Sequence, residues 1–418
     1  MIGVDDVAEL RSLLRRRDIA ARQVALGMLA NWRSDSFDST GARALLEAAS
    51  GRYPSVTHDT SHPAETLARM LWTRPCLVAV SDVVRVFVIS GERARRAFLQ
   101  LLALRCDDEG LRGLEILFGP DGPTDLLPSP TTPLLAPVLD HHDVDRLVPM
   151  LCAVAPRRGW SRHAAELLHE LQRRGRLDDE HRRAVIHVMR PLVDTAVDAC
   201  DRTSSPRRLP GTDLDMTRSD REQLEHLARL FVALSDPEAL VPLHRMLGSA
   251  DPRVSVIGAV GLVQREARVG SDRFALLARD PATLAALFDG LDAIGATGLI
   301  PPRYLEPELL AQADLVRWLS GVTELGRAPD EIEPITSRHV RVEGADDGLG
   351  GTSGVYDAEV HLFRFRMRAP HWSHARGWMV GTAGEWTYSC YAAEDQQSLE
   401  AHIESVRLGI GEWPDQPR

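Results

Sequence analysis

His371 and His374 stand three residues apart around Trp372 in the run PHWSHARGW. Two imidazoles at that spacing can give two ligands to a metal ion, with His361 or Cys390 as further donors. A metal centre also needs a third or fourth ligand in fixed geometry, and no recognisable spacing supplies one. The run reads as an amphipathic loop that carries an exposed tryptophan. His58, Asp59 and His62 crowd a second loop, 51–63, and read as capping and turn chemistry. Asp140-His141-His142-Asp143 precedes an apolar helical run; adjacent histidines point in different directions, so this too reads as a helix cap. Neither a metal nor a cofactor is expected.

Other chemistry is excluded by what the chain lacks. All 49 basic residues are arginine, so no phosphate-loop lysine and no Schiff-base lysine can exist. This bias, with Asn31 as the lone asparagine, resembles that of a GC-rich bacterial genome. The run Gly348 to Gly354 is glycine-rich but opens a strand instead of a helix, and reads as a hairpin loop. Ser353 there lacks the spacing of a nucleophile elbow. Cys76, Cys106, Cys152, Cys200 and Cys390 are scattered and read as buried free thiols.

What remains is binding chemistry. Aromatic residues and arginines anchor interfaces. Trp372, Trp378, Trp386, Arg364 and Arg366, with His371 and His374, are the contact candidates; the other reading places half of them in a local core. Arg11, Arg15, Arg16, Arg17 and Arg22 form a basic cluster near the start. It reads either as an anion or nucleic-acid contact or as a solvated helix end.

The elements that would position these residues are mostly helical. In Ser235 to Gln264, Asp236-Pro237 and Asp251-Pro252 each start a helix, since aspartate accepts the free N–H groups and proline presets φ. The first helix puts Leu240, Leu243 and Leu247 on one face. The second is apolar nearly all round and is expected to be buried on every side. Asp18 to Leu29 repeats the layout of Asp251 to Leu262. Glu92 to Leu102 and Ser161 to Leu171 keep a looser version, and Asp280-Pro281 opens another helix. Ser81 to Ile89 is β-branched, but its helical neighbours favour helix. The layout D-x-x-A-R-x-x-A-L-x-x-L resembles HEAT-type repeats of the short bacterial kind. That resemblance covers residues 1–330 unevenly and implies an α-solenoid of antiparallel helix pairs. Loops interrupt it at 119–137 and 202–219, where Arg207 and Arg208 are taken as solvated.

Past Gly326 the period changes. Arg338 to Glu343 and Val355 to Met367 alternate as strands, and Trp378 to Thr382 and Trp386 to Tyr391 are two more short β-like runs, rich in aromatic, valine or threonine residues. Val360, Leu362, Phe363 and Phe365 interleave with His361, Arg364 and Arg366, which predicts one buried and one polar face. Ser398 to Leu408 reads as a closing helix, with Leu399, Ile403, Val406 and Ile410 recurring at helical spacing as its apolar stripe. Residues 335–418 are thus expected to form a small α+β module with an antiparallel sheet covering Trp318 and Leu319. The runs GWMVGTAG and PDEIE are similar to those ending some bacterial HEAT-repeat proteins, a likeness that implies architecture and no activity.

The fold class expected is therefore mostly α: a HEAT-like solenoid followed by a small α+β domain. The net charge of −11 argues against nucleic acid or an anionic membrane and favours a basic protein partner. No apolar run is long enough to span a bilayer, and the acidic start lacks a signal peptide's features, which places the chain in the cytoplasm. The expected function is a non-catalytic protein-binding scaffold or adaptor, of the immunity or antitoxin-like kind, working through the solenoid's concave face and the C-terminal module. The alternative is a HEAT-like DNA-base glycosylase or another nucleic-acid enzyme, which would need a basic concave face.

Overall fold

Aspartates start several of the helices, as the positions of Asp18, Asp251 and Asp280 predict; Asp38 and Asp107 do the same. Asp18 accepts from the Ala20 N–H, Asp38 from Thr40 and Gly41, Asp107 from Gly110, Asp251 from Arg253 and Val254, and Asp280 from Ala282. Each satisfies N–H groups that have no partner inside a first helical turn. The computed structural model describes residues 3–32, 37–54, 62–119, 121–130, 135–141, 143–157, 159–203, 214–321, 328–345, 354–367, 377–384, 391–393 and 401. These form a mostly helical chain with one small antiparallel sheet. Two compact units are present: 1–196 with 222–242, and 197–221 with 243–418.

In the first unit the helices are α1 (Val4–Arg15), α2 (Ile19–Asn31), α3 (Ser39–Ala49), α4 (Pro63–Met70), α5 (Val80–Ile89), α6 (Glu92–Arg105), α7 (Asp108–Phe118), α8 (Val144–Val154) and α9 (Trp160–Arg173). Most touch the next or next-but-one helix, and the core runs along that row through Leu10, Leu45, Phe87, Phe98, Leu114 and Phe118. Ser81 to Ile89 is indeed helical, inside α5, and buries Val83, Val86 and Phe87. The 119–137 loop is anchored near its middle: Trp160 Nε1 donates to Pro128 O at 3.2 Å and Arg95 Nη1 to Leu126 O at 3.3 Å. Trp160 also meets Phe118 edge to face, with centroids 5.2 Å apart.

Two helices are shared between the units, α10 (Asp179–Thr203) and α11 (Leu214–Ala233). Helix α11 begins inside the stretch 202–219 expected to be loop; Arg207 and Arg208 lie outside the described residues. After α12 (Leu240–Leu247), the second unit holds α13 (Pro252–Gln264), α14 (Ser271–Ala278), α15 (Pro281–Asp292) and α16 (Pro307–Gly321). Helix α13 is buried nearly all round, as its apolar surface requires, with Val254, Val256, Ala259 and Leu262 out of solvent and Ile257 and Val260 half-buried. Its sequence counterpart α2 is not: Ile19, Val24 and Leu26 are exposed. A helix of this layout is covered only where a neighbour lies on each side, and the pattern carries no information about neighbours.

The sheet is a meander of β1 (Glu331–Ala345), β2 (Gly354–Arg366), β3 (Trp378–Gly384) and β4 (Tyr391–Ala393), in that spatial order. Strand β1 starts well before the alternation at Arg338. It carries an irregularity between Pro334 and Thr336, where proline has no N–H for the ladder. The fourth strand starts at Tyr391, the last residue of the run 386–391 expected to form it, and reaches Ala393; residues 386–390 lie outside the described residues. The segment 398–408 lies outside the described residues except Ala401.

One face of the sheet packs on α16. Ala311, Leu315 and Leu319 meet Phe363, Phe365, Met367, Met379 and Ala383, with Trp318 and Ile332 at the margin. So the sheet covers Leu319 and part of Trp318. The expected polar face is corrected: Val360 and Leu362 on the opposite side of β2 are also buried, and His361 is only 6% exposed. That outward side is covered only at Val360 and Leu362, which are apolar for that reason; further along it Arg364 and Arg366 stay partly exposed, so the alternation holds there.

Candidate functional site

The pairing of three strands brings Arg364, Arg366 and Trp378 together. Across the ladder Glu331 opposes Arg366, and Arg366 opposes Trp378; one step along, Glu333 opposes Arg364. Directly opposed residues share a face. Both guanidinium groups lie against the same indole, Arg364 at 4.8 Å and Arg366 at 5.2 Å from the ring centroid. Arg364 Nε donates to Glu333 Oε2 at 2.8 Å, and Arg366 Nη2 donates to Glu331 Oε2 at 2.5 Å. The Glu331 carboxylate raises the Arg366 guanidinium above its ordinary value. The Arg366 Nε is shut off from solvent with no acceptor among the described residues.

The result is a semi-exposed stack whose arginines are held by both ring and carboxylate. Arginines held in this way lose little rotamer freedom when a partner covers them. Sequence reasoning singled out the arginines and the tryptophan. It missed Glu331 and Glu333, although the charge alternation Glu-x-Glu matches Arg-x-Arg on the paired strand.

Of the other candidates, His371, Trp372, His374 and Trp386 lie outside the described residues, as do Cys390, His58, Asp59 and His142. His361 is buried and stacks on Phe363, turned away from the arginine stack by the alternation of the strand. His62 caps α4 through Nδ1, which accepts from the Ala64 N–H. His141 is 2% exposed; its Nδ1 accepts from the Asp143 N–H, and Asp143 caps α8. Both histidines thus do the capping and turn work expected of them. Among the described residues no group of three His, Cys, Asp or Glu could hold a metal ion. Cys152 and Cys200 are buried, and burial pushes each thiol up to about 12. Cys76 and Cys106 correct the expectation, for both are exposed, Cys76 within the short 3-10 turn Pro75–Leu77 and Cys106 at the C-terminal cap of α6, where fewer residues cover a side chain.

A second titratable cluster escaped sequence reasoning. Glu166 on α9 sits between two imidazoles, 3.1 Å from His226 Nδ1 and 3.7 Å from His163 Nδ1. Its signal was weak: His163 and Glu166 are three apart on α9, but His226 comes from α11. Burial holds both histidines below their ordinary value of 6.5, against the pull of Glu166. Arg162 also lowers both, Arg229 lowers His226, and Glu222 opposes at His226. In the unfolded chain these groups take up protons first as pH falls below about 6.5. The stability they contribute is therefore present above that value and is lost as pH falls toward the folded-state values. Urea unfolding should show a lower midpoint at about pH 5.5 than at about pH 7.5, and replacing both histidines with glutamine should flatten the difference. An unchanged slope in the double variant would contradict this assignment.

Comparison with protein-family models, with curated proteins and with solved structures found no match to this chain.

Proposed function

We propose that this chain is a non-catalytic protein-binding scaffold of the HEAT-repeat kind, working in the cytoplasm, and that its C-terminal sheet is a recognition surface. The observation that supports this reading is the stack of Arg364 and Arg366 on Trp378, backed by Glu333 and Glu331. Large planar groups held in place and still open to solvent are the residues that carry binding energy at interfaces. No helix among the described residues is long and apolar enough to cross a membrane. The net charge of −11 favours a partner of opposite charge, such as a basic toxin-like protein.

The test has two stages. Affinity capture from the native host identifies a partner, and the purified pair is then titrated with wild type, Trp378→Ala and Arg364→Ala. Loss of the indole should weaken binding by about 2 kcal/mol, roughly thirtyfold. Arg364→Ala, which leaves the buried face of the sheet untouched, should weaken it by several-fold. Equal affinity for all three proteins would remove the sheet from the interface.

A further inference from the structure

The basic cluster near the start of the chain is only partly neutralised. Arg16 pairs with Asp18, and Arg22 donates to Pro54 O and is 3% exposed. Arg11 and Arg15 have no carboxylate partner among the described residues, and the Nε of Arg11 is closed to solvent without an acceptor. Both belong to one stripe on α1: Val4, Val7, Ala8, Arg11, Ser12 and Arg15 fall at helical spacing and line a groove of about 400 Å³ between α1 and α3. Ala44 lines the other wall. Glu47 also lines the groove, and its charge is offset by Arg43 and Arg85, which face it at 3.9 and 3.7 Å.

The groove is graded along its length. At the N-terminal end its surface is apolar, with Val7 as floor and Val4 52% exposed. At the other end stand two arginines. Burial raises the Tyr53 phenol, and the charges of Arg11, Arg15 and Arg22 pull it the other way. Ala8, Ser12 and Ala44 are small, so a backbone can approach closely. Helix α1 has 12 residues and is about 18 Å long, room for about three turns of a partner helix.

We propose that the α1–α3 groove binds an acidic amphipathic helix, its apolar stripe on Val4, Val7, Ala8 and Ala44 and its carboxylates on Arg11 and Arg15. Helix-in-groove recognition needs apolar anchors at helical spacing and complementary charge, and both are present. A nucleic acid would use the arginines but leave the apolar half unfilled. The inference adds a site to the scaffold reading and does not depend on the sheet surface.

The probe is a fluorescein-labelled synthetic helix of about four turns, with leucines on one stripe and glutamates elsewhere. Two controls accompany it: the same peptide with glutamine for every glutamate, and a scramble of equal charge. Fluorescence anisotropy with the full chain should give saturable binding at about 10 μM, at least about tenfold weaker for both controls. Arg11→Glu with Arg15→Glu should weaken binding at least about tenfold by reversing the complementary charge. Ala44→Trp, which fills the groove without changing charge, should do the same, each variant being confirmed helical by circular dichroism. Trp378→Ala should bind the peptide like wild type, so a failed sheet surface would not mimic a failed groove. Ile19→Glu, on the exposed face of α2, should also bind normally. Equal binding of the scramble, retention by the groove variants, or no saturation overturns the proposal. So does sedimentation showing a dimer that Arg11→Glu with Arg15→Glu abolishes, because the occupant would then be a second copy.

Discussion

Asp251→Ala should lower the unfolding free energy of the second unit by about 3 kcal/mol, the range seen when one partner of a buried ion pair is removed. Asp251 is 0% exposed and has several roles at once. Its carboxylate accepts from the Arg253 and Val254 N–H groups at the start of α13. The same carboxylate takes two hydrogen bonds from Arg221, at 3.1 Å from Nε and 2.6 Å from Nη2. Around it, Asp201 accepts from the Ser249 hydroxyl and the Ala250 N–H, Ser255 donates to Leu247 O and Ser249 O, and Arg273 donates to Leu247 O and Ser255 Oγ. Alanine removes a cap worth about 1 kcal/mol and strands Arg221. Arg221 is 27% exposed at its side chain, so water recovers part of the loss and the lower end of the range applies. Asp251→Asn, which keeps an acceptor for the cap but not the charge, should fall between. Urea denaturation followed by circular dichroism measures all three proteins; a cost below about 1 kcal/mol for alanine would show that the network is redundant.

Gly258→Ala should destabilise by about 2 kcal/mol although alanine is the better helix former. A Cβ at Gly258 would lie 2.3 Å from the Leu247 nitrogen and 2.7 Å from the Leu243 carbonyl oxygen. Main-chain atoms cannot rotate aside, so α12 and α13 must separate and open the core around Leu243 and Met246. The contrasting substitution is Gly27→Ala in α2, where nothing lies within 4 Å of the new methyl. There propensity alone acts, and the protein should gain about 0.5 to 1 kcal/mol. Opposite signs for one chemical change would locate the effect in the helix–helix approach. A Gly258→Ala protein as stable as wild type would mean that the two helices are more loosely packed than the structure shows.

By itself the sequence determined what is local. Asp18, Asp236, Asp251 and Asp280 mark helix or turn starts because a cap involves only the next two or three residues. The all-round apolar surface of α13 implied burial, and the helical neighbours of Ser81 to Ile89 correctly outweighed its β-branched composition. Alternation past residue 330 announced a sheet. The tertiary structure decided what depends on distant segments. The same layout is buried in α13 and exposed in α2, because coverage comes from neighbours. Strand register set Arg364 and Arg366 on Trp378 and opposite Glu333 and Glu331; a shift of one residue would have sent them to the other face. The core that joins α16 to Phe363 and Phe365, and the place of Glu166 between His163 and His226, bring together residues far apart in the chain. Hydrogen bonds within a turn are specified by adjacent residues, whereas contacts across the fold are selected by the fit of whole surfaces, which no short stretch contains.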